Sequence, residues 1–217
     1  MKKEPAPSYN PGPVITISRE MGCPAKPIAE SLAGLLNKGR KREPLWKCVS
    51  NELLEESAQK LKVDPKYIKH IFTYDDRNML DEILAATKKE FRYKSDRAIK
   101  KTIGQVIQTL GEKGHYIIIG RGGVAHAKHI SNSLHIRLVA PFDWRVRKLM
   151  KYRGITEKEA RDKVIKGDQN REQFLKYYLG DACLSSYFDL IFNSASFSIK
   201  DIARMIFEAY QIKPPLD

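Results

Sequence analysis

Pro13-Val14-Ile15-Thr16-Ile17-Ser18, followed by Arg19-Glu20-Met21-Gly22-Cys23-Pro24-Ala25-Lys26-Pro27-Ile28, is the stretch on which the fold turns. The β-branched run over 13–18 sits between a Pro-Gly-Pro and a polar loop, which predicts a buried strand. Ile28, Leu32, Leu35 and Leu36 then recur at helical spacing, and Pro27 suits a first helical position. The chain therefore opens as strand, glycine-containing loop, helix.

The alternation continues downstream. Ile99, Ile103, Val106, Ile107 and Leu110 predict a helix ending at Gly111 or Gly114, followed by a strand over 116–119 that runs into Gly120-Arg121-Gly122-Gly123. A strand over 134–139 precedes a helix carrying Val146, Leu149 and Met150, and Thr156-Glu157-Lys158-Glu159 opens another in capping-box style. A last strand falls at 188–192, and Ile199, Ile202, Ala203 and Ile206 mark the closing helix. Between the first and second strands, helices are expected after Ser50 (Leu53, Leu54, Ala58, Leu61), from Pro65, and over Met79–Phe91, a helical block of about 46–94. Strands joined by helices imply a parallel sheet covered on both faces. The strand at 13–18 should be central and parallel to the others, and ligands should sit beyond the strands' carboxyl ends, at loops 18–27, 120–123 and 193–196.

Length and composition are consistent with one α/β domain over 13–213 behind a flexible proline-rich tail, 1–12: the chain has 217 residues and 42% hydrophobic content. Apolar runs are too short to span a bilayer. Cys23, Cys48 and Cys183 are odd in number and lack metal spacing, which favours a reduced cytoplasm and no metal site in the protein itself. The five histidines likewise show no ligand spacing and read as structural. A net charge of +13 favours anionic partners: nucleotides, nucleic acid or an acidic membrane surface. Solvated helix faces account for much of that charge, and no helix-turn-helix or stacking-aromatic motif supports nucleic acid.

Several motifs in register carry a resemblance. Ile15-Thr16-Ile17-Ser18-Arg19-Glu20 with Gly22, Gly120-Arg121-Gly122, Ala140-Pro141-Phe142 with Arg145, Asp168 with Arg171, and Tyr187-Phe188-Asp189-Leu190-Ile191 with Asn193-Ser194 together resemble the cytidylate kinase-like family over roughly 13–210. The resemblance implies an α/β, P-loop NTPase-type fold with a helical monophosphate-binding insertion (46–94) and a lid (145–180). It implies phosphoryl transfer from ATP, with Mg2+, to a nucleoside monophosphate such as (d)CMP. In that picture the triphosphate lies over Gly22, Cys23, Ala25, Lys26 and Pro27, with the adenine near Asn193 and Ser194. The acceptor phosphate meets Arg121, with Arg19 and Gly122 beside it. Lys26, Arg145, Arg153, Arg171 and Asp168 are the candidate catalytic set, since phosphoryl transfer depends on cationic positioning.

The loop departs from the pattern. Ala25 stands at the lysine position, Lys26 comes one residue late, and Pro27 replaces the hydroxyl that would hold magnesium. Gly122 stands where such kinases have an acid. Two readings of the whole therefore remain open: a phosphotransferase, or a catalytically impaired nucleotide- or nucleic-acid-binding regulator on the same fold. Arg121 likewise has two readings, a phosphate ligand or a cation closing a strand against a carboxylate. Oligomeric state leaves no signature in the sequence.

Overall fold

The computed structural model describes residues 12–41, 44–50, 59–60, 96–180 and 184–214. Five strands form one sheet: β1 (Val14–Arg19), β2 (Lys47–Val49), β3 (Tyr116–Ile119), β4 (Ser133–Val139) and β5 (Leu190–Asn193), in the order β2-β3-β1-β4-β5. Every pairing is parallel. β1 is central, with Val14–Ile17 opposite Tyr116–Ile119 on one side and Val14–Arg19 opposite Ser133–Leu138 on the other. The helices are α1 (Ala25–Asn37), α2 (Asp96–Lys113), α3 (Gly123–Ala127), α4 (Phe142–Arg153), α5 (Glu157–Leu179) and α6 (Ile199–Ile212), with a 3-10 turn at Leu184–Tyr187.

The apolar runs are continuous because both sheet faces are covered. Ile15, Ile17, Ile117, Ile119 and Ile136 pack against Ile28 and Leu32 of α1 and Ile202 and Ile206 of α6. On the other face, Val14 and Ile118 meet Ile103, Val106 and Ile107 of α2 and Ala127 of α3. The end of α5 adds Leu175 and Leu179, which pack with Val124 and Phe188. Fully burying one such side chain is worth about 1.5–3 kcal/mol, so the sheet face that holds the loops in place is stiff. Thr156 and Glu159 cap α5 reciprocally, as the sequence pattern predicts. Among the described residues no helix is long and apolar enough to cross a membrane.

The structure corrects four expectations. The start of the supposed helical block is strand β2. Its three residues are too few to show alternation, and it is fixed by Trp46, whose backbone is clasped by the Asn37 amide at 3.0 and 2.8 Å and whose ring packs edge-on against His115 and Tyr210. Helix α1 begins at Ala25, so Pro27 occupies its third position. β5 begins at Leu190; Asp189 just before it donates its N–H to the His135 carbonyl at 2.8 Å and accepts from the His135 N–H through its carboxylate at 2.6 Å. The short α3 was not anticipated. Most of the helices expected between Ser50 and Phe91, Cys183, and the tail up to Pro11 lie outside the described residues.

Beneath the sheet, His135 is buried with Nδ1 at 2.8 Å from the Thr16 hydroxyl and Nε2 at 3.1 Å from Ser133. Burial pushes its imidazole down to about 4, with Lys213 acting in the same direction and Asp189 opposing. The neutral ring is therefore the folded form. The stability it contributes is fully present above its unfolded value of about 6.5 and is lost as pH falls toward 4. In urea denaturation, the stability gap between the natural protein and His135→Gln should narrow by about 2–3 kcal/mol between pH 7 and pH 4. A gap independent of pH would contradict a neutral buried imidazole.

Candidate functional site

The loop leaving β1 is shaped by its own hydrogen bonds. Pro24 adopts φ −84° and ψ 57°, and the Ala25 N–H donates to the Cys23 carbonyl at 2.9 Å, an inverse γ-turn. The Met21 N–H donates to Asp168 Oδ1 at 2.6 Å, the Cys23 N–H to Glu20 at 3.3 Å, and the Ile28 N–H to Pro24 at 3.2 Å. Pro24 and Pro27 have no N–H to offer. Within 21–27 this leaves the N–H groups of Gly22 and Lys26 with no partner among the described residues. A phosphate cradle needs several converging N–H groups at a helix start.

The side chains do not repair the loop. Ala25 is buried, and Lys26 runs along the outer face of α1, 78% exposed and 3.8 Å from Glu30. Burial pushes the Cys23 thiol up to about 11. Asn193 folds back to accept from the Ala195 N–H at 3.0 Å, and Ser194 is buried, its N–H bonded to Val139. Gly22, Cys23, Ala25, Lys26 and Pro27 thus do not fit a magnesium-triphosphate held at the start of α1.

Arg145 occupies the space beside this loop. It is 6% exposed and donates through Nε to the Ala140 carbonyl at 2.8 Å, and through Nη1 to the Met21 carbonyl at 3.2 Å and Asp168 Oδ2 at 2.5 Å. Glu20 stands 3.3 Å from the same Nε and accepts from the Ala140 N–H. Gly22 has φ +94°, and a β-carbon there would stand 2.9 Å from the Arg145 carbonyl oxygen. Met21 packs against Gly167, where Arg171 donates to its sulfur at 3.3 Å. Arg145 and Asp168 therefore bolt the β1 loop to α4 and α5, the two helices of the expected lid.

Beyond the ends of β1, β3 and β4, with α5 as its far wall, lies a cleft of about 650 Å³. Arg19, Arg121, Arg137, Arg153, Lys163, Lys166 and Arg171 line it, against the acids Glu20, Asp168 and Glu172. Gly120, Arg121 and Gly122 have φ of +69°, +58° and +73°, three successive left-handed residues at the mouth of β3. For an arginine this backbone is strained, and such strain concentrates at ligand sites. The Arg19 guanidinium fills the space a side chain on Gly120 would take. Phe174 does the same at Gly122, its ring 2.9 Å from where a β-carbon would stand.

Arg171 perturbs the other two inner guanidiniums. Burial, then Arg171 and Arg121, pushes Arg19 down to about 9, and burial with Arg171 pushes Arg121 down to about 10. Arg171 is lowered by burial, with Asp168, 3.9 Å away, opposing. All three remain cationic at neutral pH. Burial is the largest cause of each shift, and like charge adds to it at Arg19 and Arg121. A bound dianion offsets both effects, and guanidinium forks match a phosphate bidentately.

The structure thus gathers Arg19, Arg121, Gly122, Arg153, Asp168 and Arg171 at one cleft, and sets Lys26, Asn193 and Ser194 apart from it. Arg145 faces the loop and not the cleft. Ser18, Arg137, Lys163, Lys166 and Phe174 were missed. Ala160, Val164, Gly167, Asp168, Arg171 and Leu175 recur every three to four residues along α5, and that stripe was the available signal for which neighbours would face inward.

A family model described as the cytidylate kinase-like family matches residues 14–196. The chain belongs to this family. Its sheet order and loop placement are those of a P-loop NTPase-type α/β fold. Over 79 residues it is 37% identical to a cytidylate kinase of Sulfolobus acidocaldarius, covering 36% of this chain and 43% of that enzyme. Over 101 residues it is 28% identical to a uronate isomerase of Corynebacterium glutamicum, covering 46% of this chain and 20% of that protein. The chain thus spans less than half the length of the curated relatives it matches. Among solved structures, a protein from Eubacterium ventriosum superposes with TM-score 0.66 at 18% identity, covering 93% of this chain and 99% of that one. Shikimate kinase from Acinetobacter baumannii, in complex with shikimate, gives 0.50 at 13%, covering 96% and 100%. At such identities the likeness is one of fold.

The bolt and the loop cation can be separated by mutation. Asp168→Ala removes two charge-assisted bonds and should lower stability by about 2–4 kcal/mol, read as a fall in Tm. Lys26→Ala should stay within about 0.5 kcal/mol of the natural protein. An unchanged Tm for Asp168→Ala would contradict the bolt.

Proposed function

We propose that the protein binds a phosphorylated nucleotide, (d)CMP or a related nucleoside monophosphate, in the arginine-lined cleft, and that ATP-dependent turnover through loop 22–27 has been given up. The observation that carries this reading is the convergence of Arg19, Arg121 and Arg171 on a cleft whose neighbouring loop has most of its N–H groups engaged or missing. The phosphomonoester would sit among the three guanidiniums, with the nucleoside toward Phe174. Asp168 would orient Arg171 while anchoring Arg145. When bound in a kinase of this kind, magnesium-ATP supplies the γ-phosphoryl group and charge neutralisation, but the loop residues here offer it neither a lysine at 25 nor a hydroxyl at 27. Free thiols at Cys23 and Cys48 suit a cytoplasmic setting.

The family match favours a second reading, a working nucleoside monophosphate kinase converting ATP and (d)CMP to ADP and the diphosphate. A coupled ADP-release assay over a panel of monophosphates, run alongside calorimetry, separates the two. The first reading predicts monophosphate binding without ATP or Mg2+, and no ADP release above background. Turnover that disappears in Lys26→Ala would establish the second.

The cleft itself is tested by Arg121→Lys, which keeps the charge and loses the fork. A charge-assisted bond is worth about 1.5–3 kcal/mol, so monophosphate Kd should rise roughly tenfold to a hundredfold with Tm little changed. Lost Tm with intact binding would mean that Arg121 closes the strand and holds no ligand.

A further inference from the structure

Gly122 stands where the family pattern has an acid, and the fold leaves no room there for a side chain. A β-carbon would meet the Phe174 ring at 2.9 Å, and His126 and Tyr178 at 3.7 Å. The residue also has φ +73°, a conformation that favours glycine. Phe174 cannot swing aside without breaking an aromatic stack. Its ring lies edge-on to Tyr178 at 5.0 Å, and Tyr178 lies edge-on to His126 at 4.5 Å. The Tyr178 hydroxyl donates to the Lys100 carbonyl at 3.1 Å. Gly104 makes the space for His126, since a β-carbon there would stand 2.6 Å from that ring.

The ring so held lines the cleft, beside the Arg121-Gly122 turn and one helical turn beyond Arg171. A ligand whose phosphate meets the three arginines therefore brings its organic part against an aromatic side chain. The acids of the cleft, which would single out an exocyclic amino group, are committed elsewhere. Glu20 accepts from the Ala140 N–H and stands by Arg145, Asp168 holds the Met21 N–H, Arg145 and Arg171, and Glu172 lies 3.2 Å from Lys176. The Ser18 hydroxyl and the Asn170 amide also line the cleft, but each carries both donor and acceptor and suits an amino or a carbonyl edge.

We infer that the cleft takes the base of its nucleotide by stacking on Phe174 and does not discriminate among bases, so that pyrimidine and purine monophosphates form one class of ligand. Every base has a π-face to stack, whereas an acid at 122 would select one hydrogen-bond pattern. Glycine and a ring in place of the acid make the site tolerant where the family pattern is selective. Phe174 is then the residue that sets specificity. This rests on the cleft assigned above as the nucleotide site and adds which part of the nucleotide goes unread.

The test is calorimetry on the full chain with ribose 5-phosphate, CMP, UMP and AMP. The three nucleotides should bind within about threefold of one another, and each roughly tenfold tighter than ribose 5-phosphate, the size of one base–aromatic stack. Phe174→Leu, with Tm measured alongside, should lose about tenfold on all three nucleotides and leave ribose 5-phosphate unchanged. Phe174→Tyr keeps the ring and should keep the affinities, which provides a second variant if the leucine protein does not fold. CMP binding tenfold or more tighter than UMP or AMP would overturn the inference and leave the nucleotide reading standing. Nucleotides no tighter than ribose 5-phosphate, or a folded leucine variant that weakens all four ligands alike, would overturn it too. Failure of all four to bind would overturn the nucleotide reading, and the inference with it.

Discussion

The ion pair between Arg145 and Asp168 is the contact on which the arrangement of the site depends. It closes a chain of bonds from the Ala140 carbonyl through the guanidinium to the Asp168 carboxylate, and on to the Met21 N–H. Four elements meet there: the loop after β1, the exit of β4, the start of α4, and the middle of α5. A buried guanidinium needs that full set of acceptors, because a charge left unpaired in such a place costs several kcal/mol. With the set complete, α5 is held where its inner face becomes the wall of the cleft. Arg171, one turn past Asp168, is delivered by the same bolt to the other two arginines.

The bolt and the loop turn explain each other. An N–H that donates to Asp168 is not available to a phosphate, and neither is one folded into the Cys23-Pro24-Ala25 turn. Positive charge has not left the site; it has concentrated on the cleft side, where burial lowers all three guanidiniums and Arg171 further lowers Arg19 and Arg121. Such a cluster is costly without a ligand and favourable with an anionic one. The strained left-handed conformation of Arg121, held between two glycines, points the same way.

Much of this was legible in the chain. The run at 14–17 announced a central parallel strand because β-branched residues buried on both faces leave no polar alternation, and Thr156 with Glu159 announced the start of α5. Arg121 between glycines was readable as a cleft residue. What was not legible depends on tertiary partners. β2 is three residues long and set by Asn37 clasping Trp46 from a distant helix. Arg145 looked like its neighbours Arg147 and Arg153; only the fold turns it inward while they stay exposed. Pro24 was recognisable as a lost donor, but the turn that also removes the Ala25 N–H is a backbone geometry that residue identities do not specify.

The central claim is that anion recognition resides among Arg19, Arg121 and Arg171 and not at the start of α1. A crystal structure of the protein grown with the phosphorothioate analogue of CMP tests it most directly, since anomalous scattering from sulfur locates the phosphate group. The account predicts that group within about 3 Å of the three guanidiniums, with the Pro24 turn intact. A phosphorothioate on the Gly22 and Lys26 amides, with the turn opened and the Asp168 bond to Met21 broken, would contradict it.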